Sequence, residues 1–404
     1  MNKPPKGTID LYNNTYEQIK LYKDQLEELF KSYGGIGLET PNFEIRENLL
    51  GKYGDEAETK LVYNLENYGG DLSEKYTLCY DLTIPKIRFI KGNNINKARV
   101  YSIGKVYRRD NPSKGRYREF YQADFDIIGE ESNSVINEFI LLKLANELLI
   151  KNNLDDFEIL INDTNNLKYM LINQLKITDD KFKSICSSID KLDKCKYKDI
   201  IKELQEKGLE NDQIIKLEKF LNEKEPLLNE TKDKINNIID YGYVFGFGNK
   251  IKYTASLARG LDYYNGIIYE IKLNNFGSTI ISGGRYNGLF DCESLIGISF
   301  GITRISDLLE YKSDEWNESY YLTSLDNMEI NEKLDYLKKI ENCLDKKIMI
   351  NYELKDKKLI KVINFCITNK IRYLLILAKN ELKENKIIKK DLMKNEQSFI
   401  YLKI

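Results

Sequence analysis

The chain has 404 residues, 42% apolar and 31% charged, and its 62 Lys and Arg nearly balance 63 Asp and Glu for a formal net charge of −1. Such a composition belongs to a folded protein of two or three domains and excludes a disordered tail, a fibrous repeat and a globally basic nucleic-acid binder. The chain contains no histidine, and its cysteines (Cys79, Cys186, Cys195, Cys292, Cys343, Cys366) show no C-x-x-C pairing, so free thiols are expected and no metal site built from side chains is.

In chain order, residues 14–33 place Tyr16, Ile19, Tyr22, Leu26, Leu29, Phe30 and Tyr33 at helical spacing before Gly34 and Gly35, which predicts an opening amphipathic helix. ETPNFEI (39–45) reads as a strand, and YTLCYDL (76–82) and VYSIGKVYRR (100–109) alternate as strands. RYREFYQADFDII (116–128) is expected to pair back on 100–109 across the turn from Asp110 to Gly115, giving an antiparallel hairpin. Helical character at 134–151 is followed by 178–240, rich in Lys, Asp, Glu and Leu, which predicts an inserted helical subdomain within about 165–245. Strands are expected at 251–258, 265–273 and 277–281, after which Gly283-Gly284 and a GISFG segment lead to a helix from about Thr303.

From Ser319 the pattern changes: a strand YYLTSL, a helix at 331–344, a strand IMINYE, a helix at 357–369 and strands RYLLIL and FIYLKI. The expected architecture is therefore α+β around a mostly antiparallel sheet over 1–315, with a small α/β domain over 316–404. No apolar run approaches the roughly 20 residues of a membrane span. The start MNKPPKGTIDLYNN lacks the apolar core of a signal peptide, so a cytoplasmic protein without a membrane partner is expected.

The chemistry concentrates in VYRRDNPSKGRYREFYQADFD (106–126). Residues 97–118 hold eight Lys or Arg against one acid, Asp110. Strand alternation sends Arg116, Arg118, Phe120, Gln122, Asp124 and Asp126 to one face, and by the same reading Cys79, Asp81 and Thr83 share a face of their own strand. Guanidinium groups match phosphate oxygens, while Asp, Thr and Gln suit an ammonium group, so one ligand with an anionic and a cationic end accounts for the arrangement. A surface salt-bridge ladder accounts for it equally well. SLARGLDYYNGIIYEI (256–271) adds Arg259, Asp262, Tyr263 and Tyr264 beside glycines, and GISFGITRI adds Arg304 in the first turn of a helix.

These segments resemble one family, the histidyl-tRNA synthetases among the class II aminoacyl-tRNA synthetases, of the eukaryotic type. The resemblance rests on PKGTID, ETPNFEI with LLGKYG, YDLTIP, KVYRRDNPSKGRYREFYQADFDI, ICSSIDKLDK, SLARGLDYYNGIIYE, GGRYNGL and GISFGITRI, in family order over about three quarters of the chain. It implies a class II catalytic domain with a helical insertion and an anticodon-binding-like C-terminal domain. The implied activity is histidine–tRNA ligation with ATP, L-histidine, tRNA(His) and Mg²⁺, by a homodimer formed through ETPNFEI. By the same resemblance Arg108, Arg116 and Arg304 bind ATP, and Arg259 with Arg108 is catalytic. Arg259 contacts the α-phosphate and the substrate carboxylate. Asp81, Thr83 and Gln122 hold the amino group of histidine, Asp126 with Tyr264, beside Tyr263, holds the imidazole, and the loop Asn111, Pro112, Ser113 and Lys114 approaches the tRNA acceptor stem.

Three positions depart from the family pattern, with Ile9 and Cys79 where arginine is usual and Thr303 where glutamate is usual. The last two are expected to weaken charge pairing near the site. A catalytically silent paralogue acting as a histidine- or tRNA-sensing regulator is the alternative. In a chain without histidine, a pH inflection near neutrality is left to the substrate imidazole, a perturbed carboxylate, a thiol or the amino terminus, and the imidazole is the expected origin.

Overall fold

Ile19, Tyr22, Leu26 and Phe30 fall on one stripe of α1 (Asn14–Ser32) and are buried against a sheet. The computed structural model of the chain describes residues 3–49, 61–66, 75–113, 115–129, 135–192, 195–258, 263–308, 316–344 and 358–402. Two compact units divide it, Met1–Glu310 and Tyr311–Ile404. In the first unit α1 is followed by β1 (Ile36–Gly37), β2 (Phe43–Ile45), α2 (Arg46–Leu49), β3 (Tyr76–Leu78), α3 (Thr83–Gly92) and the long hairpin β4 (Ala98–Tyr107) and β5 (Glu119–Ile128). Then come α4 (Ile136–Lys151), β6 (Phe157–Asp163) and α5 (Thr164–Lys168), running into a π-helical stretch at Tyr169–Gln174. The helices α6 (Asp179–Ile189), α7 (Tyr197–Glu206), α8 (Asn211–Leu221) and α9 (Asn229–Val244) follow. β7 (Ile251–Tyr253), β8 (Ile267–Leu273), β9 (Thr279–Arg285), β10 (Leu295–Phe300) and α10 (Ile302–Leu308) complete the unit.

The strands form one eight-stranded sheet in the order β1-β4-β5-β10-β9-β8-β6-β7. β1 with β4 and β6 with β7 are parallel pairs at the two edges, and every pairing between them is antiparallel. One face is covered by α1, α4, α9 and α10, where Phe125 and Ile127 of β5 join Phe30, Leu141, Ile238 and Ile305 in the main core. Gln122, Asp124 and Asp126 therefore point to the other face, as the alternation predicts. α3 packs Ile84, Ile87 and Ile90 with Val100, Ile128 and Leu295 in a smaller core beside that polar strip. The inserted helices have a core of their own, including Leu171, Ile185, Leu204 and Leu217.

Two expectations require correction. The segment 76–82 is a strand only to Leu78, and Cys79, Asp81 and Thr83 do not share a strand face, because α3 starts at Thr83. Asp81 Oδ1 accepts the Ile84 amide at 3.1 Å and satisfies one of the free N–H groups of the helix start, where Pro85 is tolerated. The strand expected to end at 281 runs on to Arg285, with Gly283 and Gly284 inside β9. A Cβ on Gly283 would lie 2.2 Å from the Gly297 carbonyl oxygen, so β9 and β10 pair there only with a bare backbone.

In the second unit β11 (Asn317–Ser324), α11 (Ile330–Leu344), α12 (Leu359–Thr368), β12 (Ile371–Leu377), α13 (Lys379–Lys383), β13 (Lys386–Asp391) and β14 (Glu396–Tyr401) follow in order. The sheet β11-β12-β13-β14 has one parallel pair, β11 with β12, and two antiparallel ones. Leu375 and Leu377 face Ile340 of α11 while Leu374 and Ile376 face Val362 and Cys366 of α12, so helices cover both faces. α13 and β13 were not predicted, and the strand expected at IMINYE lies outside the described residues.

Candidate active site

The polar face of β5 forms one wall of a cavity of about 660 Å³, within the range of small-molecule sites. The start of α3, the hairpin tip and strands β8, β9 and β10 close around it.

One end is basic. Arg108 leaves β4 with its guanidinium over the Tyr80 ring at 4.4 Å and the Phe120 ring at 5.3 Å. Its Nε donates to the Tyr80 carbonyl at 3.0 Å and a terminal nitrogen donates to Gln122 Oε1 at 3.4 Å. Arg304, in the first turn of α10, donates to the carbonyls of Gly115 at 2.9 Å and Thr279 at 2.5 Å. Arg116 pairs with Asp110 at 2.8 Å and keeps about half of its side chain exposed, 51%. Lys272 and Glu270 of β8 also line this end, and Glu270 accepts the Thr279 hydroxyl at 2.7 Å. The turn below is closed by Ser113 and Arg116, whose amides donate to each other's carbonyls at 3.1 and 2.9 Å.

The other end is acidic and aromatic. Asp124 accepts Gln122 Nε2 at 2.9 Å and the Thr83 hydroxyl at 3.4 Å. Asp126 accepts the Tyr286 hydroxyl on Oδ1 and the Lys86 ammonium on Oδ2. Opposite Asp126 on β10 stands Gly297, where a Cβ would come within 1.9 Å of Asp126 Oδ1. Tyr263 and Tyr264 lie ring to ring at 4.6 Å and meet Tyr286 at 5.8 and 6.2 Å. Burial holds all three phenols above their usual range. Burial, reinforced by Asp126 and opposed by Lys86, pushes the Asp124 carboxyl up to about 6. Asp124 is thus a perturbed carboxylate of the kind named beside the substrate imidazole as an origin for an inflection near neutrality.

The cavity gathers Asp81, Thr83, Arg108, Arg116, Gln122, Asp126, Tyr263, Tyr264 and Arg304 from the residues singled out in the sequence. Ser113 also reaches the cavity, whereas Asn111 and Pro112 do not line it. Arg259 and Lys114 lie outside the described residues. Asp124, Lys86, Tyr286, Glu270, Lys272 and Thr279 were missed as site residues. Asp124 was available from the strand alternation, but Lys86 sits in an apolar run, TIPKIRF, that gives no signal of a polar contact. Among the departures, Cys79 is buried, its thiol donates to the Pro41 carbonyl at 3.3 Å, and burial pushes it up to about 12. Thr303 accepts the Tyr121 amide at 2.8 Å, tying the helix of Arg304 to β5, and Ile9 is exposed. No group of three Cys, Asp or Glu side chains suited to a metal occurs among the described residues, and no described helix is long and apolar enough to cross a membrane.

The histidyl-tRNA synthetase family model matches residues 7–294. A cytoplasmic histidine–tRNA ligase of Dictyostelium discoideum is 34% identical over 430 residues, covering 98% of this chain and 88% of the relative. One from Oryza sativa subsp. japonica is 38% identical over 346 residues, covering 78% of this chain, and the matched stretch spans only 43% of that relative's length. The crystal structure of histidyl-tRNA synthetase from Nostoc sp. PCC 7120 superimposes with a TM-score of 0.72 at 23% identity, covering 99% of this chain and 96% of that one. That likeness establishes the fold as that of a class II synthetase, with its mostly antiparallel sheet and helices. Family match, shared fold and a cavity built from the motif residues agree, and the chain belongs to the histidyl-tRNA synthetase family.

Proposed function

We propose that the chain is a histidine–tRNA ligase that joins histidine to ATP as histidyl-adenylate and passes the histidyl group to tRNA(His). The observation that supports this best is the polarity of one cavity, with Arg108, Arg116 and Arg304 at one end and Asp81, Asp124 and Asp126 at the other. ATP is anionic, and the amino group of histidine is cationic. A ligand pair laid across the cavity brings the histidine carboxylate to the α-phosphate between the two ends.

In the first step a carboxylate oxygen of histidine attacks the α-phosphorus, the bond to the β-phosphate oxygen breaks, and pyrophosphate leaves. In the second a hydroxyl of the terminal ribose of tRNA attacks the histidyl carbonyl and AMP leaves. Neither step needs a protein general base as strong as histidine, and positioning with charge stabilisation carries most of the acceleration. Arg108, stacked on Tyr80 and Phe120, is pre-aimed for a phosphate. Arg259 follows Leu257 and precedes Tyr263, both of which line the cavity, and would meet the α-phosphate and the substrate carboxylate. Thr83, Gln122 and Asp81 would hold the amino group, and Asp126 with Tyr263 and Tyr264 the imidazole.

Mg²⁺ would arrive with ATP and screen its phosphate charge, with Glu270 a carboxylate at the basic end that would hold it, which suits an ion that keeps most of its water. The hairpin turn at Asn111–Ser113 and Lys114 would approach the tRNA acceptor stem, and the second unit would read the anticodon. Exposed Ile36, Phe43 and Ile45 on β1 and β2 suit a homodimer interface. A cytoplasmic location fits relatives so named, although others are named mitochondrial. A silent regulatory paralogue has no use for the three cavity arginines, which are all retained here. Histidine-dependent exchange of pyrophosphate into ATP tests the proposal: exchange with histidine supports it, and none overturns it.

A further inference from the structure

Ahead of α1 the chain crosses the tip of the β4–β5 hairpin as a strap, and Gly7 is its point of contact. The φ of Gly7, 83°, lies in the left-handed region that favours glycine. The turn that sets it is closed by Thr8, whose amide and hydroxyl both donate to the Pro5 carbonyl, at 3.0 and 2.8 Å. The Gly7 carbonyl then accepts the Arg118 amide at 2.7 Å. A Cβ on Gly7 would lie 2.8 Å from Arg118 Cγ, 2.9 Å from its Cδ and 3.2 Å from Pro112 Cβ, so the strap rests on the Arg118 stem and on the turn.

Arg118 carries that contact towards the cavity by two routes. Its Nε donates to the Asp110 carbonyl at 3.1 Å, and the Asp110 carboxylate pairs with Arg116 at 2.8 Å. Its own carbonyl accepts the Arg108 amide at 2.9 Å. Arg108, Asp110 and Arg116 all line the basic end, whereas Arg118 does not line the cavity. On the opposite side the tip is held by Arg304, which donates to the Gly115 carbonyl, and by the Tyr117 hydroxyl, which donates to Asp307. The strap adds a hold on the Asp110 side, where Arg116 finds its partner.

We infer that Gly7 and Arg118 are positioning residues for the ATP end of the cavity: Gly7 seats Arg118, Arg118 fixes Asp110, and Asp110 fixes Arg116. This rests on the reading that the basic end takes ATP. Arg118 acts through Arg116 rather than on the ligand. An arginine held in place before ATP arrives loses less freedom on binding, so a loosened tip weakens ATP binding first. The acidic end, with Asp124 and Asp126 further along β5, takes no part in this run of contacts and should hold histidine as before. A Cβ at Gly7 could be accommodated only by moving the Arg118 stem, which draws Nε away from the Asp110 carbonyl. Changes at Gly7 and at Arg118 should therefore break the same link.

The test is pyrophosphate exchange by the full chain, by Gly7→Ala, by Arg118→Met, which keeps an unbranched stem but has no Nε donor, and by the double variant. Each single change is expected to raise KM for ATP about tenfold and to leave KM for histidine within about twofold. The double variant should be no worse than the more damaged single one, because the link can be lost only once. An unchanged KM for ATP in either single variant, a parallel rise in both KM values, or additive losses in the double variant would overturn the inference. If Gly7→Ala does not fold, Arg118→Met decides alone: a selective rise in KM for ATP supports the inference, and an unchanged or parallel result overturns it. An unaltered chain that catalyses no exchange overturns the functional reading itself, whereas normal exchange with unchanged KM for ATP in the variants overturns this inference alone.

Discussion

Arg108 lies flat against Tyr80, with the guanidinium carbon 4.4 Å from the ring centroid and Nε donating to the Tyr80 carbonyl at 3.0 Å. The guanidinium is held before any ligand arrives, which limits the freedom lost on phosphate binding. Lysine can neither stack as a plane nor fork two hydrogen bonds. Arg108→Lys is expected to lower kcat of pyrophosphate exchange by about 10²-fold while changing KM for histidine little, in the range seen for losing one oriented donor. An unchanged kcat would remove Arg108 from the catalytic group.

The Asp124 carboxyl makes stability depend on pH in a definite direction. Its folded value, pushed up to about 6 by burial, lies above the ordinary value of 3.8, so the fold prefers the protonated form. Its contribution to stability is therefore greatest below about pH 4, falls as pH rises towards 6 and then levels off, for a total on the order of 2–3 kcal/mol. Asp124→Asn keeps the shape and removes the buried charge. It should raise the melting temperature at pH 7–8 and bring no gain near pH 4. A gain equal at both pH values would contradict the assignment.

Gly297 leaves the space that Asp126 fills, since a Cβ there would sit 1.9 Å from Asp126 Oδ1. Gly297→Ala should cost about 1–3 kcal/mol through overpacking and raise KM for histidine more than tenfold, with KM for ATP little changed. Gly92→Ala is the control, because nothing lies within 4 Å of a Cβ at that position. Parallel effects on both substrates would place the damage in the fold at large.

Much of this architecture was readable because its signals are local. The β5 alternation separates Phe125 and Ile127 from Asp124 and Asp126 without any knowledge of neighbours, and the spacing of Ile19, Leu26 and Phe30 marks α1. The short strand at Tyr76–Leu78 was overextended because what ends it is a side-chain contact, Asp81 with the Ile84 amide, that competes with strand pairing. The expected strand stopped short of Gly283 because the reason for a glycine there lies on another strand, at the Gly297 carbonyl. Lys86 and Tyr286 escaped for the same reason, since their partner Asp126 is 40 and 160 residues away in sequence.

Every cavity-lining residue lies between Tyr80 and Arg304, inside the first compact unit. A chain ending at Glu310 should retain histidine-dependent pyrophosphate exchange and charge tRNA(His) with a much raised KM. Comparison of the two assays on the same preparation checks this. Unchanged KM for tRNA would show that the second unit does not read it.

The most direct measurement is ATP-dependent attachment of radiolabelled histidine to tRNA(His) by the purified chain, beside the same chain with Arg108→Ala. The account predicts acid-precipitable label that requires ATP, Mg²⁺ and histidine, and that falls at least about 10²-fold in the variant. A folded, unaltered chain that forms no histidyl-tRNA, or a variant that forms it at the same rate, would contradict it.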